Sequence, residues 1–330
     1  MATTSMSGLS NAVRAHFDAQ QLKYAEPILC VAKMGMERTL PKNRGDQVKY
    51  LRPVPLPAAT TPLTEGVAPT GQAMTYEDVN VTTAQYGAFV EITDKVLDLI
   101  ECPVLKDATK LCGEQRAETV ELIVMGVIRG GTSVVYANGS ARNAVNTVPT
   151  IGKLRGINQF LRRQRAKTIT EFVKSTANQT TVAIKPCWVV ICHTDAQADL
   201  EQISGWKSPE QYVGTTELLP CEIGSIGEFR FCASPLVPIW ADAGGAKGAM
   251  KSTSGTSADV YPMIVLAQDC FGRTTLGGYS AEKLLISDAA NISVANPLGQ
   301  KGTVGWKQYF ASWIANNTWM TRLEHAITLL

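Results

Sequence analysis

Leu9, Val13 and Phe17 recur every four positions within residues 9–25, a single narrow apolar stripe that predicts a short helix. A helix with so narrow a stripe holds only when it docks, on its own domain or on a neighbouring subunit. From Leu40 to Val90 the periodicity changes. Pro41, Pro53, Pro55, Pro57, Pro62 and Pro69 crowd this region, and "LPAATTPLTEGVAPTGQ" carries Glu65 as its only charge. Proline at that density excludes helix and confines strands to edges. Two extended runs flank it, "DQVKYLRPVPL" and "DVNVTTAQYGAFVEIT", and together they predict a long two-stranded hairpin with a broad, irregular tip. Such a hairpin has too little core to stand alone and is expected to lie on another surface.

Helical spacing returns after Thr93 in "DKVLDLIECPVLKDATKLCGEQRAETVELIVMGVIRGG". Pro103 breaks that segment or opens a new helix. Beyond it Val104, Ala108 and Leu111, then Val120, Val124 and Val127, repeat at i, i+4, i+7, and Gly130 and Gly131 supply the stop. "TIGKLRGINQFLRRQRAK" predicts a shorter amphipathic helix with a basic face. "CWVVICH" reads as a strand, "TDAQADLEQI" as a helix, and "GEFRFCAS" and "YPMIVLAQ" as two more strands. The last two are separated by the small, flexible surface loop "ADAGGAKGAMKSTSGTSAD". At the end, "TVGWKQYFASWI", "ANNT" and "WMTRLEHAITLL" predict strand, turn and strand, with Asn316 and Asn317 accepting the positive φ of a tight hairpin turn. There is no tandem repeat.

Composition narrows the class. Of 330 residues 45% are apolar and 18% charged, which fits a folded chain with little disorder. The net charge of +2 encodes no global pull toward nucleic acid or membrane, and so weakly charged a surface suits a protein that works in an assembly. The start lacks the apolar run of a signal peptide, and no stretch is apolar enough to cross a bilayer. The eight cysteines are scattered without a CxxC pair, so reduced thiols are expected rather than a disulfide framework.

Three patterns invite a chemical reading. "NPLGQKGTVGWK" (Asn296 to Lys307) spaces Gly299, Gly302 and Gly305 ahead of Lys307, and glycines ahead of a lysine are a signal of phosphate loops. A phosphate loop, however, needs GxxxxGK[ST] leading from a strand into a helix, whereas here Lys307 precedes Gln308 in an extended run. The glycines read as a bend entering a strand, with Trp306 packing and Lys307 on the opposite face. Cys192, His193 and Asp195 hold the residue types of a thiol nucleophile and its base, but adjacent strand residues face opposite ways, so Cys192 reads as structural. Cys187, Cys192 and the three histidines (His16, His193, His325) form no zinc spacing. The basic run Lys153, Arg155, Arg162, Arg163, Arg165 and Lys167 contains no acid. It is open to three readings: a solvated helix face, pairing with acids on a neighbouring subunit, or contact with packaged nucleic acid. No catalytic, cofactor-binding or metal-ligating residue is assigned.

The order of parts, and the strings "AQYGAFVEITDKVLD", "CHTDAQADL", "LPCEIGSIGEFRFCASP", "NPLGQKGTVGWKQY" and "MTRLEHA", resemble the Hong Kong 97-type major capsid proteins of tailed double-stranded DNA phages. The strings look like the branch from phages related to coliphage N-four, with departures at Asn296 and Thr194. The resemblance covers nearly the whole chain and implies an α+β fold. Its parts would be an N-terminal arm (1–40), an extended β-hairpin loop (41–93), a peripheral domain with spine helix and closing β-hairpin (94–185 and 271–330) and an axial domain (186–270). Arm and loop would reach over adjacent subunits, and pentamers and hexamers would close an icosahedral virion shell, assembled in the host cytoplasm, around double-stranded DNA. Decoration or cement proteins, a separate scaffolding protein and a portal are the other implied partners; no cofactor, enzyme activity or membrane is.

Some relatives crosslink through a lysine on the extended loop. No lysine lies between Lys49 and Lys95 here, so that reaction is not expected. The N-terminus begins directly with the arm, which points to a scaffold on a separate chain. Two alternatives are a nanocompartment shell of the same fold and, different in class, a soluble hydrolase using Cys192 or a phosphate-dependent enzyme using Lys307.

Overall fold

The computed structural model describes residues 30–95, 104–173, 181–212, 218–219, 221–277, 282–287 and 297–329. The helix expected at 9–25, and the segment 96–103 up to and including the expected break at Pro103, lie outside them. In chain order the strands and helices are β1 (Met36–Leu40), β2 (Gln47–Pro53), β3 (Tyr76–Thr82), β4 (Ala84–Thr93), α1 (Val104–Arg129), β5 (Val134–Tyr136), α2 (Ile151–Arg163), β6 (Ile169–Val173), β7 (Thr181–Cys192), α3 (Gln197–Glu201), β8 (Trp206–Lys207), β9 (Glu222–Ile226), β10 (Phe229–Ala233), β11 (Tyr261–Leu266), β12 (Phe271–Leu276), β13 (Glu282–Ser287), β14 (Lys301–Ile314) and β15 (Met320–His325).

Two sheets carry the architecture. The larger has the order β5-β15-β11-β7-β10-β9-β8, with β6 on β7; the smaller has the order β1-β12-β14-β13, with β4 also on β14. Alternation along a strand sends successive side chains to opposite faces. In the larger sheet Val190, Met263 and Val265 pack with Leu154, Ile157 and Leu161 of α2. Their neighbours Ile191, Ile264 and Leu266 pack with Val120, Val124, Met125 and Ile128 of α1. β11 is buried at all six positions, which is why "YPMIVL" reads as an unbroken apolar run. The first half of α1 continues onto the smaller sheet, where Ala108 and Cys112 meet Ile92, Leu284, Val304 and Trp306.

The structure departs from the expected pattern in three places. The buried stripe of α1 runs through Ala108, Cys112, Ala117, Val120, Val124 and Ile128, while Leu111 is exposed and Val127 only half-buried. Cys112 takes the inward place because the backbone of β14 comes close, its thiol reaching the Val304 carbonyl at 3.7 Å. The run after the proline-rich tip divides at Thr83: β3 pairs with β2, and β4 joins β14 over ten residue pairs. Finally, β14 and β15 do not form a closing hairpin. β14 belongs to the smaller sheet, and β15 pairs with β11 and β5 in the larger. Asn316 is extended, at φ −149°, and its side chain accepts from the Thr318 amide at 3.0 Å. The amides of Ala315 and Asn316 both donate to the Cys270 carbonyl, which holds the chain as it crosses between sheets.

Candidate functional site

β2 and β3 pair in antiparallel register from Gln47↔Thr82 to Pro53↔Tyr76. The pleat turns Val48, Tyr50 and Arg52 inward. Tyr50 stacks on Trp313 of β14, with ring centroids 4.5 Å apart. Its hydroxyl lies 3.0 Å from the Thr274 hydroxyl, which also accepts the Trp313 indole N–H at 2.9 Å. Arg52 donates to the Ala315 carbonyl at 3.3 Å and pairs with Glu77. The surface on which the hairpin was expected to lie is, at its base, the chain's own smaller sheet.

The tip, residues 54–75, is different. Val54 N–H bonds to the Thr75 carbonyl where the tip begins. Farther out, Val67 N–H bonds to the Thr64 carbonyl at 3.2 Å and closes a turn with Gly66 at φ +78°. Leu56, Leu63, Val67 and Met74 are all exposed, Leu63 to 78%. Four large apolar side chains turned to solvent on so short a segment are the mark of an interaction surface.

A second apolar surface lies on the outer face of the smaller sheet. Register places Gly305 of β14 between Phe89 of β4 and Leu285 of β13. Two residues along, Lys307 stands opposite Gly87 and Lys283. Gly87 and Gly305 bring no side chain to this face, so a groove of about 440 Å³ opens, flanked by the exposed side chains of Phe89 and Leu285. Both glycines also permit close approach of the strands. A Cβ at Gly305 would sit 2.8 Å from the Ala88 carbonyl oxygen, and one at Gly87 2.7 Å from that of Trp306.

This geometry accounts for the lysine-preceding glycines. Gly299 has φ +66° in the turn before β14, and a strand, not a helix, follows. Trp306 is buried against α1 while Lys307 faces the groove, as the alternation predicts.

Cys192 and His193 diverge. The Cys192 thiol is buried 3.6 Å from the Cys232 carbonyl, and burial pushes it up to about 12, which leaves no thiolate for chemistry. The His193 ring accepts from the Asp195 amide at 3.1 Å and is lowered by burial. Asp195 pairs with Lys251 at 2.6 Å, and that bond holds its carboxyl below the usual range. Lys251, in the small-residue loop, carries no sequence signal for this role.

In the basic run Lys153 is half-buried, while Arg155, Arg162, Arg163, Arg165 and Lys167 are exposed. Arg162 pairs with Glu228 of the turn before β10. Among the described residues no three His, Cys, Asp or Glu side chains group as a metal site. The expectation of reduced thiols throughout is corrected at one pair: Cys30 and Cys221 are joined by a disulfide. Their separation of 191 positions hides the pairing from sequence spacing. Cys112, Cys187, Cys192, Cys232 and Cys270 are free and buried.

A charged cluster also went unseen in the sequence. Buried Glu324 of β15 accepts from Arg142 at 2.8 Å and from Arg322 at 2.9 Å. Arg129 and Arg142 place their guanidiniums 3.9 and 3.7 Å from the centroid of Trp240. The cluster ties the end of α1 and the loop after β5 to β15, with Arg142 and Glu324 182 positions apart in sequence.

The comparisons with known proteins agree on one class. A family model described as phage capsid protein matches residues 76–311. Among solved structures, the capsid of Ralstonia phage GP4 superposes with a TM-score of 0.67 at 10% identity, covering 90% of this chain and 88% of that one. The capsid asymmetric unit of cyanophage Pam1 gives 0.62 at 12% identity over 92% and 93%. The head structure of Helicobacter pylori bacteriophage KHP40 gives 0.57 at 10% identity over 90% and 88%. At such identities the likeness is one of fold. No curated protein matches the chain.

Proposed function

The chain belongs to the phage capsid protein family, and from that premise we propose that its hairpin tip and N-terminal arm lie across adjacent copies in the shell. The chain is a major capsid protein of a phage head, a structural protein rather than an enzyme, with the Hong Kong 97-type fold. It self-assembles into a shell and is part of the virion.

The finer organisation is proposed as follows. Pentamers and hexamers of this one chain close an icosahedral head around double-stranded DNA, and a pliable loop lets one sequence serve both rings. The head assembles in the host cytoplasm, with a portal, a separate scaffold and cement proteins as further partners. Residues 1–40 form the arm, 41–93 the extended loop, 94–185 and 271–330 the peripheral domain and 186–270 the axial domain. β5 and β15 complete the larger sheet although their residues fall in the peripheral segments. The strings quoted above favour the branch of phages related to coliphage N-four.

The observation that supports arms across neighbours is the tip itself: a docked base followed by 22 residues whose large apolar side chains are exposed. Many modest contacts of this kind give a shell stability through avidity. The loop has no lysine, so shells boiled and reduced on a gel are expected to run as monomer; a ladder of covalent multimers would contradict this. Negative-stain microscopy of the purified chain tests the assembly, with uniform icosahedral particles expected. Extraction of nucleic acid from virions separates a phage head from a nanocompartment shell, which would hold enzyme cargo.

A further inference from the structure

The tip and the outer-face groove have complementary features. The groove offers a gap over Gly305 between Phe89 and Leu285, and among the described residues Lys307 is its one charged lining residue. Among the described residues no carboxylate lies within ion-pair distance of Lys307; its nearest aromatic partner is the Tyr309 ring, 5.7 Å away. The acid nearest along the same face of β4, Glu91, is already paired with Lys301 at 3.4 Å. The tip, for its part, carries one charge in 54–75, and it is an acid. Glu65 stands at the second position of the turn closed by Thr64 and Val67, two residues after the fully turned-out Leu63.

Spacing matches as well as charge. Along β14, Gly305 and Lys307 face the same side about 7 Å apart. Leu63 and Glu65 are also two residues apart, a span of up to about 7 Å. A leucine seated over Gly305 therefore brings a glutamate to Lys307.

The direction of the hairpin decides which copy supplies the tip. Tyr50 rests on Trp313 and Arg52, farther toward the tip, reaches Ala315. The hairpin thus advances along β14 away from Gly305, which lies about 30 Å back along the strand. The chain's own tip is carried away from its own groove.

We propose that the notch over Gly305 receives Leu63 from the loop tip of a second copy, and that Glu65 of that copy pairs with Lys307. The assignment rests on the reading of the chain as a self-assembling shell protein and names the contact through which one copy holds the next. The glycines of the lysine-preceding motif thereby gain a role: they leave the space that the second copy fills.

The test is charge exchange at assembly, read as particle yield by sedimentation and microscopy. Lys307→Glu and Glu65→Lys are each expected to lower the yield at least tenfold, and the double exchange to restore it to within twofold of the natural chain. Leu63→Asp, on an exposed tip that leaves the core untouched, is expected to lower the yield to a similar degree. Zero-length carbodiimide coupling of assembled particles mixed from light and heavy-isotope chains is expected to join Glu65 to Lys307 in mixed-label peptides. Single variants that assemble like the natural chain, a double exchange without rescue, or purely same-label peptides would each overturn the contact while leaving the shell reading intact. Failure of the natural chain to form particles would overturn both.

Discussion

Tyr50 of the hairpin lies over Trp313 of the smaller sheet with their ring planes 21° apart, and both bond the Thr274 hydroxyl. That stacked pair is where a thin two-stranded ribbon gains a rigid base. Tyr50→Ala is expected to remove about 1–2 kcal/mol of docking energy. Limited proteolysis should then cut within 54–75 roughly tenfold faster, that energy expressed as a rate, while the urea midpoint of the body moves little.

The link between Cys30 and Cys221 makes a direct chemical prediction. Peptide mapping without reductant should yield a joined fragment containing both residues, lost in Cys221→Ser and after reduction. Closing so long a loop restrains the unfolded chain by roughly 5 kcal/mol on the entropy argument, so reduction should lower the thermal midpoint measurably.

His325 is fully buried in β15, with one ring nitrogen 2.9 Å from the Ala326 carbonyl. Burial lowers it from 6.5 to about 4. In the unfolded chain the imidazole takes up its proton as pH falls below about 6.5, while the folded chain resists until about 4. Stability is therefore complete above that window and is lost through it, by about 3 kcal/mol. Urea midpoints measured across pH 7 to 4 should show this slope in the natural chain. His325→Leu should flatten it, leaving a smaller contribution from His193, which burial also lowers.

Among the described residues Glu324 is the one carboxylate bonded to both Arg142 and Arg322. Glu324→Ala leaves buried positive charge without a counter-ion and is expected to cost roughly 3–5 kcal/mol. Replacing Arg322 and Glu324 together by apolar residues of similar size should cost less than the sum of the single changes. A double-mutant cycle in denaturant measures the difference.

Much of the fold was legible because period and punctuation are local. "YPMIVLAQ" announced a strand, Gly130 and Gly131 the end of the long helix, and prolines the irregular tip. The strand after "NPLGQKG" was legible too, since Lys307 lacked the helix a phosphate loop requires. The partition of strands among sheets was not. "ANNT" looked like a hairpin turn because its residues suit one, yet the Cys270 carbonyl captures the Ala315 and Asn316 amides and sends β15 elsewhere. The facing stripe of α1 was set one step off, since Leu111 and Cys112 are both apolar and only the position of β14 chooses between them.

The candidate surface divides the same way. Sequence alone determined a proline-rich tip with one acid and no lysine, because composition and chain stiffness need no partner to be read. It also determined that Gly305 and Lys307 lie in a strand, where a period of two fixes which side chains share a face. Only the tertiary structure decided that Phe89 and Leu285 stand on either side of Gly305, that Cys30 meets Cys221, and that Glu324 bonds both Arg142 and Arg322. Those pairings, Arg322 with Glu324 excepted, join residues tens to hundreds of positions apart, and their energy comes from register and burial, which exist only once the sheets have assembled.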